Sequence, residues 1–237
     1  MEASNLNFVI PKPLITTVAI DDSEDLFPVH RIYCVGRNYA EHSREMGHNP
    51  EREDPFFFQK SPDNLLQAEK PEGNYFPYPL KSKNVHHEIE LVCALGSGGC
   101  NISKEEALNL IWGYGVGLDM TKRDLQENAK KAGRPWDLAK AFEFSAPISS
   151  LRPIKKINKF SQNRIWLDVN GKTRQEGKIN QLIWSVPEII SYLSGYFKLC
   201  PGDLIFTGTP SGVASIVKGD VLEGGIDDVG ELKITVV

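Results

Sequence analysis

The sequence lacks the features that mark secreted, membrane-spanning or nucleic-acid-binding proteins. Its cysteines, Cys34, Cys93, Cys100 and Cys200, show no CxxC pair and no paired metal-ligand spacing, which is typical of reduced thiols in a cytosolic protein. No apolar run approaches the roughly 20 residues that cross a bilayer. The net charge of −4 comes without a basic stripe, which argues against a nucleic-acid partner. Because the opening MEASNLNF resembles neither a signal peptide nor a transit peptide, we expect a cytoplasmic protein.

The composition that is present is that of an ordinary globular protein. Hydrophobic residues make up 41% and charged residues 24% of the 237 positions, and a chain of this length can bury a real core. Residues 1–30 carry prolines and the acidic stretch DDSED, and they predict an irregular N-terminal lead-in. We expect a single domain over residues 31–237.

Short segments bounded by turns predict a β-rich α+β fold. Residues 164–177 alternate in period two around Asn170–Gly171, which is a strong hairpin signal. Further strands are predicted at 31–36, 55–60, 86–96, 111–120, 201–208, 218–225 and 231–237. Helices are predicted at 38–46, 121–133 and 186–197, and a capping box of Ser103 and Glu106 starts another. Since strands outnumber helices and several are linked as hairpins, we expect a mostly antiparallel core with helices on its flank.

Two glutamates stand two residues apart in the apolar segment HHEIELVCALG (86–96). On a strand, Glu88 and Glu90 point to one face and the neighbouring apolar residues point to the other. Two adjacent carboxylates raise each other's pKa and cost free energy, and a cation between them would remove that cost. An edge strand with a solvated acidic face is the alternative interpretation.

A third carboxylate, Asp119, ends the glycine-spaced strand GYGVGLD. Glycine weakens a strand, so glycines inside a strand often mark a place where another group approaches the backbone closely. With Glu88 and Glu90, Asp119 would complete an all-oxygen site, which suits Mg²⁺, Mn²⁺ or Ca²⁺ rather than zinc. Alternatively, Asp119 is an acidic residue at the N-terminus of the following helix. The spacing of the three residues does not by itself bring them together.

Six motifs, in order along the chain, carry a resemblance that does bring them together. They are VGRNYAEH (35–42), HHEIEL (86–91), GLDMTKRDLQ (117–126), GRPWDLAKAF (133–142), VNGKTRQEG (169–177) and PGDLIFTGTPSGV (201–213). From about Arg31 onward the chain resembles the fumarylacetoacetate hydrolase family, in its short, one-domain acylpyruvase branch. The resemblance implies a β-roll or distorted barrel, a homodimer, and one divalent metal, Mg²⁺ or Mn²⁺, bound by Glu88, Glu90 and Asp119.

The same resemblance implies a catalytic set within this domain. His42 and Glu45 are three apart on one face of a predicted helix, where the family has a water-activating dyad on a lid that orders over the ligand. A surface pair is the alternative. Lys140, flanked by apolar residues, matches the family's active-site lysine and would neutralise an oxyanion. A solvated surface lysine is the alternative.

Further residues are expected to bind the substrate. Arg123 and Gln126 share a helix face and resemble the family's substrate-side polar residues, unless they are ordinary helix surface. Gly208 and Thr209 form a turn whose amide and hydroxyl could receive a ligand carboxylate, although a purely structural turn would have the same sequence.

The reaction that the resemblance implies is metal-dependent hydrolysis of the C–C bond of a 3-acylpyruvate. Several segments most resemble bacterial fumarylpyruvate hydrolases, which release fumarate and pyruvate in aromatic-acid catabolism after ring opening of gentisate. Arg37 would then bind the far carboxylate of fumarylpyruvate. Alternatively, it forms an ion pair with the acidic stretch DDSED (21–25). Lys60 matches a family lysine only loosely. In the family a proline usually follows that lysine directly, whereas here Ser61 stands between Lys60 and Pro62.

Two other functions remain open from the sequence. Oxaloacetate decarboxylation or keto–enol tautomerisation would need only the metal site and stabilisation of an enolate. A non-catalytic protein that binds a metal or a 2-oxo acid is the other alternative.

Overall fold

The computed structural model describes residues 8–40, 53–68, 74–158 and 160–237. These residues form 18 strands, four α-helices and five short 3₁₀ helices. The strands are β1 (Thr17–Ala19), β2 (Leu26–Pro28), β3 (Ile32–Gly36), β4 (Phe56–Lys60), β5 (Leu65–Gln67), β6 (Asn74–Phe76), β7 (Val85–His86), β8 (Ile89–Leu95), β9 (Ile111–Leu118), β10 (Thr121–Lys122), β11 (Ala146–Ile148), β12 (Arg152–Pro153), β13 (Arg164–Val169), β14 (Lys172–Lys178), β15 (Leu204–Phe206), β16 (Ser215–Ile216), β17 (Val221–Ile226) and β18 (Gly230–Val236). The α-helices are α1 (Lys104–Ala107), α2 (Arg123–Lys131), α3 (Asp137–Lys140) and α4 (Val186–Ser194). The 3₁₀ helices are Pro62–Asn64, Leu108–Leu110, Ile154–Lys156, Phe160–Gln162 and Ile179–Gln181.

The largest sheet has eight strands and curls into a half-barrel. Its order is β4-β3-β15-β8-β9-β11-β5, with β12 paired to β9 beside this path. All neighbours in it are antiparallel except β3 with β15 and β5 with β11. The predicted β-rich, mostly antiparallel fold is therefore confirmed.

A second sheet of five strands, in the order β14-β13-β17-β18-β6, covers one face of the large sheet. Leu91 and Val116 of the large sheet share a core cluster with Leu167 and Ile234 of the second. The opposite face packs against β1 and β2. Because both faces are covered, all seven residues of β8 are buried, which is why its sequence is a continuous apolar run interrupted only by Glu90.

The expected N-terminal lead-in contains a short antiparallel pair, since β1 and β2 lie within residues 17–28. Val18 and Phe27 of this pair are buried against Ile32 and Leu204. Within the described residues, no helix combines the length and the apolarity needed to cross a membrane.

The predicted hairpin at 164–177 is confirmed as β13 and β14. Asn170 and Gly171 have φ angles of 52° and 72°, and two positive angles in succession give the tight turn that matches strand twist. The predicted helix at 121–133 begins later, at Arg123, because Thr121 and Lys122 pair as β10 with β7.

The glycines of β9 allow its neighbours to approach closely. Gly117 pairs with Glu90 across the ladder, and a Cβ built on it would lie 2.5 Å from the ring of Phe206 and 2.7 Å from a methyl of Val92. Close packing at this residue therefore fixes the distance between the two strands that carry the acidic residues.

Gly117→Ala is expected to lower the free energy of unfolding by about 1–3 kcal/mol, since the added methyl group forces packed neighbours apart. Urea denaturation measures the loss. Gly195→Ala is the matched control, because Gly195 has an ordinary φ of −73° after α4 and its nearest neighbour would be 3.3 Å away. Equal losses in the two variants would contradict the tight packing at Gly117.

Candidate active site

Three buried carboxylates meet where β8 begins and β9 ends. Glu90 lies in β8, Glu88 immediately precedes this strand, and Asp119 immediately follows β9. The amide of Asp119 donates to the carbonyl of Glu88 over 2.9 Å, so the ladder continues one step beyond the strands. One oxygen from each carboxylate lies within 4.8 Å of the others.

The expectation of one unbroken strand from 86 to 96 is wrong in detail. β7 ends at His86 and pairs with β10 and β16, whereas β8 starts at Ile89 in the large sheet. The chain changes sheets at His87 and Glu88, and the amide of Ile89 donates to the side chain of Gln175 in β14. Glu88 and Glu90 nevertheless converge.

Burial and mutual repulsion govern the protonation of this cluster. Burial raises the pKa of Glu90 well above its ordinary value, and the charges of Asp119 and Glu88 raise it further. The amide of Gly208 donates to Glu90 Oε2 over 2.8 Å and acts in the opposite direction.

Three cations lie against the carboxylates. Lys140 Nζ is 2.8 Å from Glu88 Oε2 and 2.5 Å from Asp119 Oδ2. Burial alone would lower the pKa of Lys140, but the charges of Asp119 and Glu88 outweigh burial and raise it. Arg123 contacts Glu88 Oε1 at 2.5 Å, and Lys60 Nζ is 2.9 Å from Asp119 Oδ1. Each cation is itself buried, so the ion pairs are shielded from solvent.

The carboxylate cluster fits a divalent cation. Its converging atoms are all oxygens, which is the ligand type that Mg²⁺ and Mn²⁺ prefer. Among the described residues, Lys60 forms an ion pair with Asp119 Oδ1 at 2.9 Å, and this oxygen accepts no hydrogen bond. This buried oxygen therefore has coordinating capacity to spare.

One pocket brings together most of the residues predicted for the site. Besides the three carboxylates, its lining includes Arg37, Arg123, Gln126, Lys140, Gly208 and Thr209. His42 and Glu45 lie outside the described residues. The predicted helix face of Arg123 and Gln126 is confirmed, since Arg123 donates to Gln126 Oε1 over 2.5 Å and both are buried.

Arg37 enters the pocket through a constrained backbone. Its φ of 58° is uncommon for a residue with a side chain, and such strain concentrates at functional sites. The preceding Gly36 has no room for a Cβ, which would lie 2.0 Å from the ring of Phe56. Arg37 in turn lies over that ring, with its guanidinium carbon 5.4 Å from the centroid.

Gly208 and Thr209 differ in what they can offer a ligand. The Gly208 amide already donates to Glu90, so it holds that carboxylate rather than facing the pocket freely. Gly208 has a φ of +100°, and a Cβ there would lie 2.7 Å from Asn38. The Thr209 hydroxyl accepts a hydrogen bond from Gln175, and Thr209 is one of the residues that line the pocket.

Sequence reasoning missed several residues of the pocket. Lys130 and Trp136 line it, with Lys130 Nζ 5.3 Å from the Trp136 ring centroid, and so do Phe56 and Phe58. The helical spacing of Lys130, four residues after Gln126 and seven after Arg123, could have indicated it. Gln175, which contacts the lining residue Thr209, has no comparable sequence spacing that would have indicated it.

Known proteins share this architecture. A Mus musculus protein, "Oxaloacetate tautomerase FAHD1, mitochondrial", is 45% identical over 205 residues, which cover 86% of this chain and 90% of that protein. The fumarylpyruvate hydrolase of Ralstonia sp is 44% identical over 184 residues, which cover 78% and 93% of the two chains. The crystal structure of fumarylpyruvate hydrolase from Pseudomonas aeruginosa in complex with Mn²⁺ and pyruvate has a TM-score of 0.95 at 49% identity, covering 98% of this chain and 99% of that one. The family described as "Fumarylacetoacetate (FAA) hydrolase C-terminal" matches residues 31–237. The chain therefore belongs to the fumarylacetoacetate hydrolase family and is an enzyme.

Proposed function

We propose that this enzyme hydrolyses the C–C bond of a 3-acylpyruvate, with fumarylpyruvate as the substrate and fumarate and pyruvate as the products. The observation that carries the proposal is the composition of the pocket, in which three buried carboxylates lie among cationic side chains. The carboxylates suit a divalent cation, and the cations suit an anionic ligand. The Ralstonia and P. aeruginosa fumarylpyruvate hydrolases support the same assignment.

We assign Glu88, Glu90 and Asp119 as ligands of one Mg²⁺ or Mn²⁺ ion, and the Mn²⁺ of the P. aeruginosa structure supports this assignment. When bound, such an ion supplies a Lewis acid and a template for the carboxylate and keto oxygens of a 2-oxo acid. The ammonium of Lys140 lies beside Glu88 and Asp119, where it would donate to the ligand.

The chain's own residues would move the protons. We assign His42 as the base that takes a proton from water, with Glu45 orienting its imidazole, on the strength of the sequence motif. The water oxygen adds to the distal carbonyl, and Lys140 donates a hydrogen bond to the resulting oxyanion. The C–C bond then breaks: the acyl group leaves as a carboxylic acid, and pyruvate leaves as its enolate and takes up a proton.

The pocket's remaining polar residues would orient the substrate. Arg123 and Gln126 are buried and linked to each other, so they present a fixed pair of polar groups. We assign Thr209 to the carboxylate of the 2-oxo acid head, with Gly208 holding Glu90 in place.

The charge of the pocket favours a substrate with two carboxylates. The described lining has four cationic side chains and three carboxylates, and a divalent cation would add to this excess of positive charge. Burial lowers the pKa of Lys130, and the charge of Arg37 lowers it further. We assign these two residues to the far carboxylate of fumarylpyruvate.

We further propose that residues 31–237 act as one catalytic domain and that the enzyme is a homodimer. The pocket supports the first part, because every described residue that lines it lies in this range. The resemblance of the chain from about Arg31 onward to the short branch of the family supports the second.

Purified protein stripped with EDTA is expected to leave fumarylpyruvate intact, and added Mg²⁺ or Mn²⁺ is expected to restore its cleavage. The assay follows loss of the enol's ultraviolet absorbance and quantifies pyruvate and fumarate, which should form in equal amounts. Glu90→Gln is expected to lose the metal response because it removes one charged ligand. Metal-independent cleavage, or no cleavage with either ion, would contradict the proposal.

Lys130→Ala and Arg37→Ala are each expected to lower kcat/KM for fumarylpyruvate about 10- to 100-fold, the equivalent of one lost charge-assisted hydrogen bond. Acetylpyruvate has no far carboxylate, so its kcat/KM should change little. Lys131→Ala, at the neighbouring exposed position of α2, is the matched control. If the ratio of kcat/KM for fumarylpyruvate to kcat/KM for acetylpyruvate is unchanged, the assignment of these residues to the far carboxylate is wrong.

Tautomerisation or decarboxylation of oxaloacetate is the second candidate function, and it is favoured by the 45% identical mouse tautomerase. Oxaloacetate is also a dianion with a 2-oxo acid head, so the described pocket would accept it. Its conversion requires enolate stabilisation but no hydrolytic water. The difference between the two candidates therefore lies in the His42–Glu45 pair.

His42→Ala is expected to lower fumarylpyruvate hydrolysis about 100-fold or more, as loss of a general base does. Any turnover of oxaloacetate should persist. Both rates are measured on metal-loaded protein, and His48→Ala serves as the control histidine from the same segment. If His42→Ala retains hydrolysis, then the base has been assigned to the wrong residue.

A further inference from the structure

The hairpin motif VNGKTRQEG contains a buried polar residue that the proposed function has not yet used. Within β14, all of whose residues the structure describes, Gln175 alone is buried, with no exposed surface. A buried amide must satisfy its hydrogen bonds inside the protein. Its partners therefore indicate why a glutamine stands at this position.

The orientation of the Gln175 amide is fixed by a backbone donor. The amide of Ile89 lies 3.1 Å from Gln175 Oε1, and a backbone N–H can only donate, so this atom must be the oxygen. His87 Nδ1 lies 2.9 Å from the same oxygen and must then carry the proton. The oxygen thus accepts from the two residues that flank Glu88.

The nitrogen of the same amide contacts the loop that follows β15, which contains Thr209 and Pro210. Gln175 Nε2 donates to Thr209 Oγ1 over 2.7 Å and to the carbonyl of Pro210 over 2.8 Å. Both amide hydrogens are used. Because Thr209 Oγ1 accepts one of them, the hydroxyl's own proton points elsewhere, and Thr209 lines the pocket.

The loop has little freedom to compensate for loss of this contact. Gly212 has a φ of +95° and lies so close to β14 that a Cβ there would be 2.0 Å from the carbonyl of Arg174. A Cβ on Gly177 would be 3.0 Å from Pro210. The backbone of the loop is therefore packed onto β14 around Gln175.

We propose that Gln175 is a positioning residue that sets the Thr209 hydroxyl as a hydrogen-bond donor to the carboxylate of the 2-oxo acid. By accepting from Ile89 and His87 with its other end, Gln175 ties this donor to the segment that carries Glu88. The carboxylate-binding group and one proposed metal ligand are thereby held at a constant separation. The inference rests on the proposed function, since it needs a 2-oxo acid in this pocket.

The test is a double-mutant cycle on binding rather than turnover. Gln175→Met, Thr209→Val and the double variant are loaded with Mn²⁺ and titrated with pyruvate by calorimetry. Each single change is expected to weaken pyruvate binding about tenfold, and the double variant should be no weaker than either single variant. If the weakening of pyruvate binding in the double variant equals the product of the two single effects, the inference is overturned, because Gln175 then acts independently of Thr209.

Acetylacetone is the probe that separates positioning from general damage. It chelates metal through two carbonyl oxygens and has no carboxylate, so its affinity should be unchanged in Gln175→Met. Equal weakening of acetylacetone and pyruvate would overturn the inference in favour of a purely structural role. Gln162→Met and Thr173→Val, at exposed positions, are the matched controls and should bind both probes like the unaltered protein.

Two outcomes remain to be distinguished. If Gln175→Met does not fold, Gln175→Glu replaces it, because this variant keeps the oxygen that accepts from Ile89 and removes the amide donor to Thr209; the same criteria then apply. If the unaltered, Mn²⁺-loaded protein binds no pyruvate, the proposed function fails and the inference fails with it. Pyruvate binding with an additive cycle overturns the inference alone.

Discussion

Three carboxylates buried within 4.8 Å of one another set the requirement that the rest of this site satisfies. Removing such charges from water costs several kcal/mol each unless opposite charges and hydrogen bonds compensate. Lys60, Lys140 and Arg123 supply the charges, and all three are themselves buried. Because Glu88 and Asp119 share these cations, removal of a cation would leave buried negative charge less compensated.

The sheet can hold such a unit because both of its faces are covered. β8 and β9 pair along most of their length, and the missing side chain of Gly117 lets Phe206 pack against them. A close-packed core does not deform gradually, so the ends of these strands keep a fixed separation. The free energy gained by burying apolar residues elsewhere in the sheet thus offsets the cost of assembling like charges at its end.

Sequence patterns predicted the elements that depend on near neighbours. The Asn170–Gly171 turn needs two positive φ angles, and the capping box of Ser103 and Glu106 needs only one helical turn. Residue spacing alone did not bring Asp119 to the glutamates, because their contact requires the pairing of two strands; the family resemblance supplied it. Gln175 was missed because it is the one buried residue in a strand whose other residues are exposed or half-buried, so no apolar alternation marks it.

Under the proposed function, the head of the substrate and its far end are bound by different parts of the pocket. A cation site and an anion-binding hydroxyl recognise the head of any 2-oxo acid, so they cannot distinguish fumarylpyruvate from oxaloacetate. Discrimination must come from groups that meet the rest of the substrate. In the described pocket we assign this role to Arg37 and Lys130, which lie over the aromatic rings of Phe56 and Trp136 on segments separate from the β8–β9 ladder. Substitution at these segments could therefore alter substrate choice without disturbing the buried charges on which the site depends.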